Sequence, residues 1–259
     1  MSHHLVEASD LAYAYPDGTP ALRGVSFRIT HGESVGIIGA NGAGKSTLLL
    51  HLSGCLRASS GTVRVGEVPV TKATLAQIRR SVGTIFQDPD DQLFMPTVAE
   101  DVAFGPLNLG WPPEEVERRV TQALEAVQAS HLRDRPPYQL SGGEKRAAAI
   151  ATVLAMSPDI LVLDEPTSGL DPQARRRVVA LLRGFTHTKI IATHDLDLVW
   201  EVCARTIVLC AGRVVEDGPS SVVLRNEPLL KRSGLELPLR LQGCPVCKKR
   251  LESQAPPAP

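Results

Sequence analysis

Several short stretches of this chain combine residue types that handle phosphate, divalent metal and water. Gly39-Ala40-Asn41-Gly42-Ala43-Gly44-Lys45-Ser46, followed by Thr47, has the spacing G-x-x-x-x-G-K-[ST], in which small residues let successive backbone N–H groups turn inward around a phosphate. A helix beginning at Gly44 and Lys45 aims its positive end, worth roughly half an elementary charge, at the same point. Lys45 is then placed to reach β- and γ-phosphates, and the Ser46 hydroxyl to sit on Mg²⁺. Further on, Asp164-Glu165 closes an uninterrupted apolar run at 160–163. A bare Asp-Glu pair after a strand can be a polar loop. At the mouth of a phosphate site the two carboxylates divide readily, Asp164 to the magnesium shell and Glu165 to polarising a water.

Ser141 and Glu144 have the S-x-x-E spacing of a helix capping box, a structural role sufficient in itself. The consecutive glycines between them ask for more, because Gly142 and Gly143 leave backbone open to a ligand at the positive end of a helix. Gln87 and His194 each follow a short apolar run, at 82–86 and 189–193. Ligands of open α/β sheets sit outside the carboxyl ends of the strands, which places Gln87 to touch Mg²⁺ or the attacking water; ordinary loop chemistry is the alternative. Tyr15 stands just before the turn Pro16-Asp17-Gly18, where it could stack on an adenine ring or pack beneath the turn. Asp171 reads as a helix cap ahead of Pro172.

The elements that position these residues are legible from hydrophobic period. The run 34–38 is apolar and β-branched, and Leu48, Leu49 and Leu50 continue it as a helix, so the phosphate loop lies between strand and helix. Alternation over 5–15 and 25–29, then 61–66 and 68–70, predicts a small antiparallel sheet beside the nucleotide site. From 88 to 158 the pattern turns helical, with Val116, Val120, Leu124 and Val127 on one face, and predicts a helical lobe inserted between two strands of the core sheet. Residues 205–215 read as a hairpin turned at Ala211-Gly212, with a short helix over 219–224.

Composition narrows the function. With 259 residues the chain can bury one large core, or one core and a smaller lobe. Lys plus Arg and Asp plus Glu both total 28, so no basic excess is available to grip a nucleic-acid backbone. Cys55, Cys203 and Cys210 are isolated in apolar segments and read as reduced core residues, which suits the cytoplasm. Residues 1–5 lack the order of a signal peptide, and 18 consecutive apolar residues occur nowhere, so a membrane role must run through a partner.

In this order the motifs resemble the ATP-binding subunit of an ABC transporter, over residues 5–224. The resemblance implies an α/β P-loop NTPase core of mostly parallel sheet, with an antiparallel β subdomain and an inserted helical lobe. It implies that Tyr15 stacks on adenine, that 39–46 are the Walker A loop and that Gln87 is the Q-loop residue. Ser141-Gly142-Gly143-Glu144-Lys145 is then the signature sequence, Asp164 and Glu165 close Walker B, Asp171 lies in the D-loop and His194 is the switch histidine. One departure is Glu144, where the family most often has glutamine. The resemblance further implies two ATPases bound head to tail, Ser141 and Gly142 of one touching the γ-phosphate held by the other. An integral membrane coupling subunit and a substrate-binding membrane subunit complete the assembly, with this chain peripheral on the cytoplasmic face.

Residues 86–106 resemble the Q-loop and following helix of energy-coupling-factor ATPases, and 141–156 most resemble their cobalt and nickel type. This implies a homodimeric ATPase driving cobalt or nickel uptake, with a vitamin importer as the alternative. A soluble ABC ATPase acting on DNA or ribosomes usually carries a long coiled coil or two fused halves, and this sequence has one set of motifs and no sustained heptads. The expected organisation is an ATP-binding domain over 1–228, its lobe at about 88–158, and a partly disordered tail over 229–259. In that tail Cys244 and Cys247 offer two of the four ligands zinc normally takes. Two tails meeting in a dimer could complete a Zn²⁺ site; an unmetallated tail is the alternative.

Overall fold

The computed structural model describes residues 4–242. In chain order, β1 (His4–Ala14), β2 (Pro20–Thr30) and β3 (Ser34–Ile38) lead into α1 (Lys45–Leu52), followed by β4 (Ser60–Val65), β5 (Val68–Pro69), α2 (Leu75–Ser81) and β6 (Val82–Ile85). The helices α3 (Val98–Asn108), α4 (Pro113–Ala126) and α5 (Gly142–Leu154) come next, before β7 (Ile160–Asp164). The chain then alternates α6 (Pro172–Gly184), β8 (Thr188–Thr193), α7 (Leu196–Val202), β9 (Arg205–Cys210) and β10 (Arg213–Pro219), and ends in α8 (Ser220–Val223) and α9 (Glu227–Arg232).

Two sheets result, a four-stranded one in the order β2-β1-β4-β5 and a six-stranded one in the order β10-β9-β3-β8-β7-β6. The first is antiparallel throughout. In the second only β10 runs against its neighbour.

Residue alternation explains the layering. On β7, Ile160 and Val162 face a core shared with Leu48 and Leu52 of α1 and with Leu11, Leu22 and Val25 of the antiparallel sheet. Leu161 and Leu163 face the other way, into a core with Ala148 and Val153 of α5, Val178 and Leu182 of α6, and Leu198 and Val199 of α7. A strand covered on both faces must be apolar at every position, and each such side chain contributes about 1.5–3 kcal/mol by leaving water.

The register brings the carboxyl ends of the parallel strands level. Ile38 is paired with Thr193, Asp164 with Ala192, and Ile85 with Leu163. The loops leaving β3, β6, β7 and β8 therefore open on the same edge. Ala211 and Gly212 join β9 to β10 with φ of 47° and 76°, the two-residue turn whose twist suits a hairpin.

Two expectations change. Leu229, Leu230, Leu235 and Leu241 are buried in the main core, so packing runs on past 228 to the end of the described residues. Their irregular spacing gives no helical or strand period, which is why that stretch reads as tail. Cys203 is buried, but Cys55 is exposed, because it follows α1 at the turn where the chain leaves the core. Cys244 and Cys247 lie outside the described residues.

Candidate functional site

The phosphate loop is built by the junction of β3 and α1. Gly44 holds φ at 103° to start α1, and a side chain there would also meet the Ala21 carbonyl at 2.6 Å. No side chain caps α1 and no acidic residue enters its first turn, so its leading N–H groups are left to an anion. The buried Lys45 ammonium donates to the carbonyls of Gly39 at 2.9 Å and Ala40 at 3.3 Å, which places it inside the loop. Thr47 and Tyr15 share a hydroxyl hydrogen bond of 2.8 Å. Tyr15 meets Tyr13 edge-on at 5.2 Å and stays 38% exposed, so it is anchored beside the loop while offering ring surface to solvent.

Asp164 and Glu165 reach the same edge by different means. Asp164, the last residue of β7, lies by the Ser46 hydroxyl and the Lys45 ammonium; burial pushes its carboxyl above the usual range, against the pull of Ser46. Its Oδ1 is buried without a hydrogen-bond partner. Glu165 adopts φ of 45°, a left-handed conformation costing about 1–2 kcal/mol for a residue with a Cβ. That turn swings its carboxylate under the end of β8, where it accepts from Thr193 Oγ1 at 2.8 Å and from the His194 backbone N–H at 3.1 Å. The His194 ring also meets it, Nδ1 to Oε1, at 2.8 Å. A carboxylate accepts about four hydrogen bonds, so Glu165 keeps capacity for a water.

Gln87 is exposed just beyond β6, and its backbone is held from the lobe. The buried Arg146 of α5 donates through Nη1 to the Phe86 carbonyl at 2.7 Å and through Nη2 to that of Gln87 at 2.6 Å. Gln92 Nε2 donates to the Ala149 carbonyl at 2.7 Å and to Thr152 Oγ1 at 2.6 Å, and Lys145 pairs with Asp90 at 2.6 Å. One face of α5 thus fastens the whole loop from 86 to 92. Arg146 and Gln92 are absent from the residues singled out by sequence, and Lys145 enters there only as the last residue of the signature stretch. A signal for Arg146 existed, since a cation at the head of the alanine-rich run 147–151 must find acceptors when buried.

Ser141 caps α5 in a full capping box. Its backbone N–H donates to Glu144 Oε2 at 2.8 Å and the Glu144 N–H donates to its Oγ at 3.4 Å. Asp171 caps α6, accepting from the N–H groups of Gln173 at 2.8 Å and Ala174 at 2.9 Å. The glycines differ. A Cβ on Gly142 would meet nothing within 4 Å, as the expected open approach requires, but one on Gly143 would lie 2.9 Å from Ala174 Cβ. The expectation of open backbone is corrected for Gly143 on that side, because α5 and α6 touch there. The structure therefore gathers Lys45, Ser46, Asp164, Glu165 and His194 at one edge, while Ser141, Gly143 and Asp171 form a separate group. Among the described residues no hydrogen bond joins Ser141 to residues 39–47.

A phosphate loop thus lies at the carboxyl edge of a parallel sheet with two carboxylates, apart from a glycine-rich helix start. The sequence profile described as ABC transporter matches residues 22–168, more than half of the chain. The chain belongs to the ABC transporter family. This ABC ATPase is 67% identical to a putative ABC transporter ATP-binding protein of Geobacter sulfurreducens, over 95% of the chain and 99% of that protein. It is 48% identical to the energy-coupling factor transporter ATP-binding protein EcfA of Methanothermobacter thermautotrophicus, over 90% and 77% of the two chains. Among solved structures, cbiO1 of Clostridium perfringens, described as part of the ABC transporter complex cbiONQ, superposes with a TM-score of 0.78 at 39% identity, covering 89% and 94%. An ATP-binding cassette solved as a dimer in a post-hydrolysis state with ADP and Pi gives 0.76 at 28% identity, covering 83% and 98%. As an ABC ATPase it hydrolyses ATP in coupling to transport; ATPases of this family bind ATP with Mg²⁺, dimerise and partner with membrane subunits. Among its described residues no helix is long and apolar enough to cross a membrane.

Proposed function

We propose that this ATPase energises an importer of the energy-coupling-factor type with cobalt or nickel ions as cargo, working as a homodimer. The observation that carries the reading is the likeness to cbiO1 across nearly the whole of both chains. The EcfA relatives support the transporter type, and a vitamin cargo is the second reading because their names carry no metal.

The surface where partners of this type would dock is apolar and sharply presented. Phe94, Phe104 and Leu107 are 61%, 44% and 57% exposed, and the two rings meet edge-on at 4.9 Å. Buried Asp101 fixes them from below, its Oδ1 accepting from the N–H groups of Phe94 and Met95 at 3.0 Å each. On the loop that leads to this patch Asp88 and Asp91 are exposed carboxylates, suited to basic residues on the cytoplasmic loops of a membrane scaffold, while Asp90 is already paired with Lys145.

In the reaction, Tyr15 takes the adenine ring and residues 39–47 take the phosphates, with Lys45 donating to the β- and γ-oxygens. Ser46, Asp164 and Gln87 would hold Mg²⁺, and the buried, unpartnered Asp164 Oδ1 suits a divalent cation. When bound there, the metal would supply neutralisation of phosphate charge. Glu165 takes the proton of the attacking water, and His194 holds its carboxylate in place. Ser141, Gly142 and Asp171 act on the nucleotide of the second copy, a reading supported by the lack, among the described residues, of a hydrogen bond from Ser141 to residues 39–47. Deleting the gene in its host and measuring cell-associated nickel and cobalt at limiting supply tests the cargo. Loss of uptake of either ion supports it; unchanged uptake of both, with no second copy to compensate, removes the metal assignment. Identifying the membrane polypeptides that co-purify with the ATPase tests the transporter type.

A further inference from the structure

We propose that Gly143 is a positioning residue whose missing side chain lets α5 rest directly on α6, and that this contact sets where Ser141 is presented. The inference rests on the reading that Ser141 acts on ATP held by a second copy. It concerns how the chain aims that residue.

A Cβ built on Gly143 would stand 2.9 Å from the Ala174 Cβ and 3.9 Å from Asp171 Oδ2. Two saturated carbons prefer about 3.5–4.0 Å, so a methyl group at 143 would force the first turn of α5 away from the first turn of α6. Ala174 is 4% exposed, and its Cβ, fixed to the backbone, can leave the contact only if α6 itself moves. At either end of this contact is a cap. Ser141 is locked to the turn of α5 by its capping box with Glu144, and Asp171 is locked to the turn of α6 by the N–H groups of Gln173 and Ala174. The path from Asp171 through Ala174 and Gly143 to Ser141 is therefore short and stiff, and it crosses from the core into the helical lobe.

The neighbouring glycine separates this role from ligand approach. A Cβ on Gly142 meets nothing within 4 Å, so its open side is available to a nucleotide and unconnected with α6. Gly143 spends its open side on the chain itself. A methyl group at 143 should do harm that the removal of a methyl group at 174 can undo, whereas harm from a methyl group at 142 should be indifferent to residue 174.

The test is a pair of double-mutant cycles on the full-length protein, reading turnover, KM for ATP and melting temperature. Gly143→Ala should lower kcat roughly tenfold with little change in KM, and lower the melting temperature by about 3 °C or more. Adding Ala174→Gly should restore kcat to within about threefold of Ala174→Gly alone and recover most of the melting temperature. Gly142→Ala should leave the melting temperature unchanged, and Ala174→Gly should not improve its turnover. A double variant no better than Gly143→Ala, or equal rescue of the Gly142 variant, overturns the proposal. If Gly143→Ala is too unstable to assay, recovery of a folded, active protein on adding Ala174→Gly is the supporting result and failure to recover it the opposing one. Wild-type turnover in Ser141→Arg would instead remove the reading of Ser141, with the melting-temperature cycle still deciding the contact.

Discussion

His194 and Glu165 form one unit: the ring Nδ1 stands 2.8 Å from Glu165 Oε1 while the His194 backbone N–H donates to the same oxygen at 3.1 Å. In a neutral ring this fixes the proton on Nδ1, because a carboxylate oxygen can only accept. Nε2 is then free on a side chain that is 60% exposed. The Glu165 carboxylate and the histidine at the end of β8 are thus tied to each other through both ring and backbone.

Glu165→Gln should keep ATP bound within about threefold of wild type and slow hydrolysis by about 10²–10⁴-fold, the usual worth of a general base. The amide keeps the shape, its oxygen still able to accept from the His194 ring and its NH₂ able to donate to the Thr193 hydroxyl, but it can no longer take a proton from water. His194→Ala should fall in the same direction by less. Single-turnover hydrolysis alongside equilibrium ATP binding separates the two quantities, and wild-type hydrolysis in the glutamine variant would reject Glu165 as the base.

Arg146 should govern how Gln87 meets magnesium. Arg146→Met removes both bonds to the Phe86 and Gln87 carbonyls, each a charge-assisted bond worth about 1.5–3 kcal/mol. The Mg²⁺ concentration for half-maximal hydrolysis should rise several-fold, with ATP binding in the absence of metal little changed. Arg146→Lys should not rescue it, since a single ammonium lacks the planar fork that reaches two carbonyls at once. A magnesium titration of the three proteins is the measurement, and superimposable curves would deny Arg146 this role.

What the sequence discloses and what it hides follow from range of interaction. Gly39 to Ser46, the apolar run before Asp164, and the Ser141–Glu144 capping box are local patterns, and the structure puts each on the expected element. The clamp of Arg146 and Gln92 on the loop after β6 joins residues 57–60 positions apart, and no local period announces it. Gly143 is hidden differently. A glycine reports only that a side chain is unwelcome, and whether a ligand or Ala174 is the reason depends on the packing of α6. Leu229 to Leu241 escaped for the same cause, because burial there is against α7 and the core and leaves no repeat in the sequence.

The ion pair that follows His194, between Asp195 and Arg175, should shape the acid limb of stability. Burial alone would raise the Asp195 carboxyl, but the hydrogen bond and charge of Arg175, with the Leu198 N–H, outweigh it and hold the value below the ordinary 3.8. A carboxylate whose value is depressed by folding contributes stability above its unfolded value and loses it as pH falls through the folded one. Arg175→Met should therefore melt below wild type at pH 5–7 (roughly neutral to mildly acidic), with the gap narrowing as pH drops below about 4. Melting curves across that range check it, and a gap that widened in acid would contradict the pairing. Glu201 also meets Arg175, at 3.4 Å, so Asp195→Asn should reproduce the narrowing if the first pair dominates.

Cysteine chemistry offers a probe of the sheet core that is independent of turnover. Burial pushes the Cys203 thiol up to about 12, and its Sγ lies 3.5 Å from where a Cβ on Gly36 would stand, between α7 and β3. The thiolate is the reactive form, so at pH near 8 Cys203 is both inaccessible and almost wholly protonated. Cys55 is exposed. A small alkylating reagent should label Cys55 in the native protein and reach Cys203 only after denaturation. Because ATP with Mg²⁺ binds the folded state, adding them should slow whatever labelling of Cys203 occurs through opening of the core, by a factor that grows with ligand concentration. Mass spectrometry of the labelled peptides gives the rates; native labelling of Cys203 as fast as that of Cys55 would refute the packing of α7 on β3.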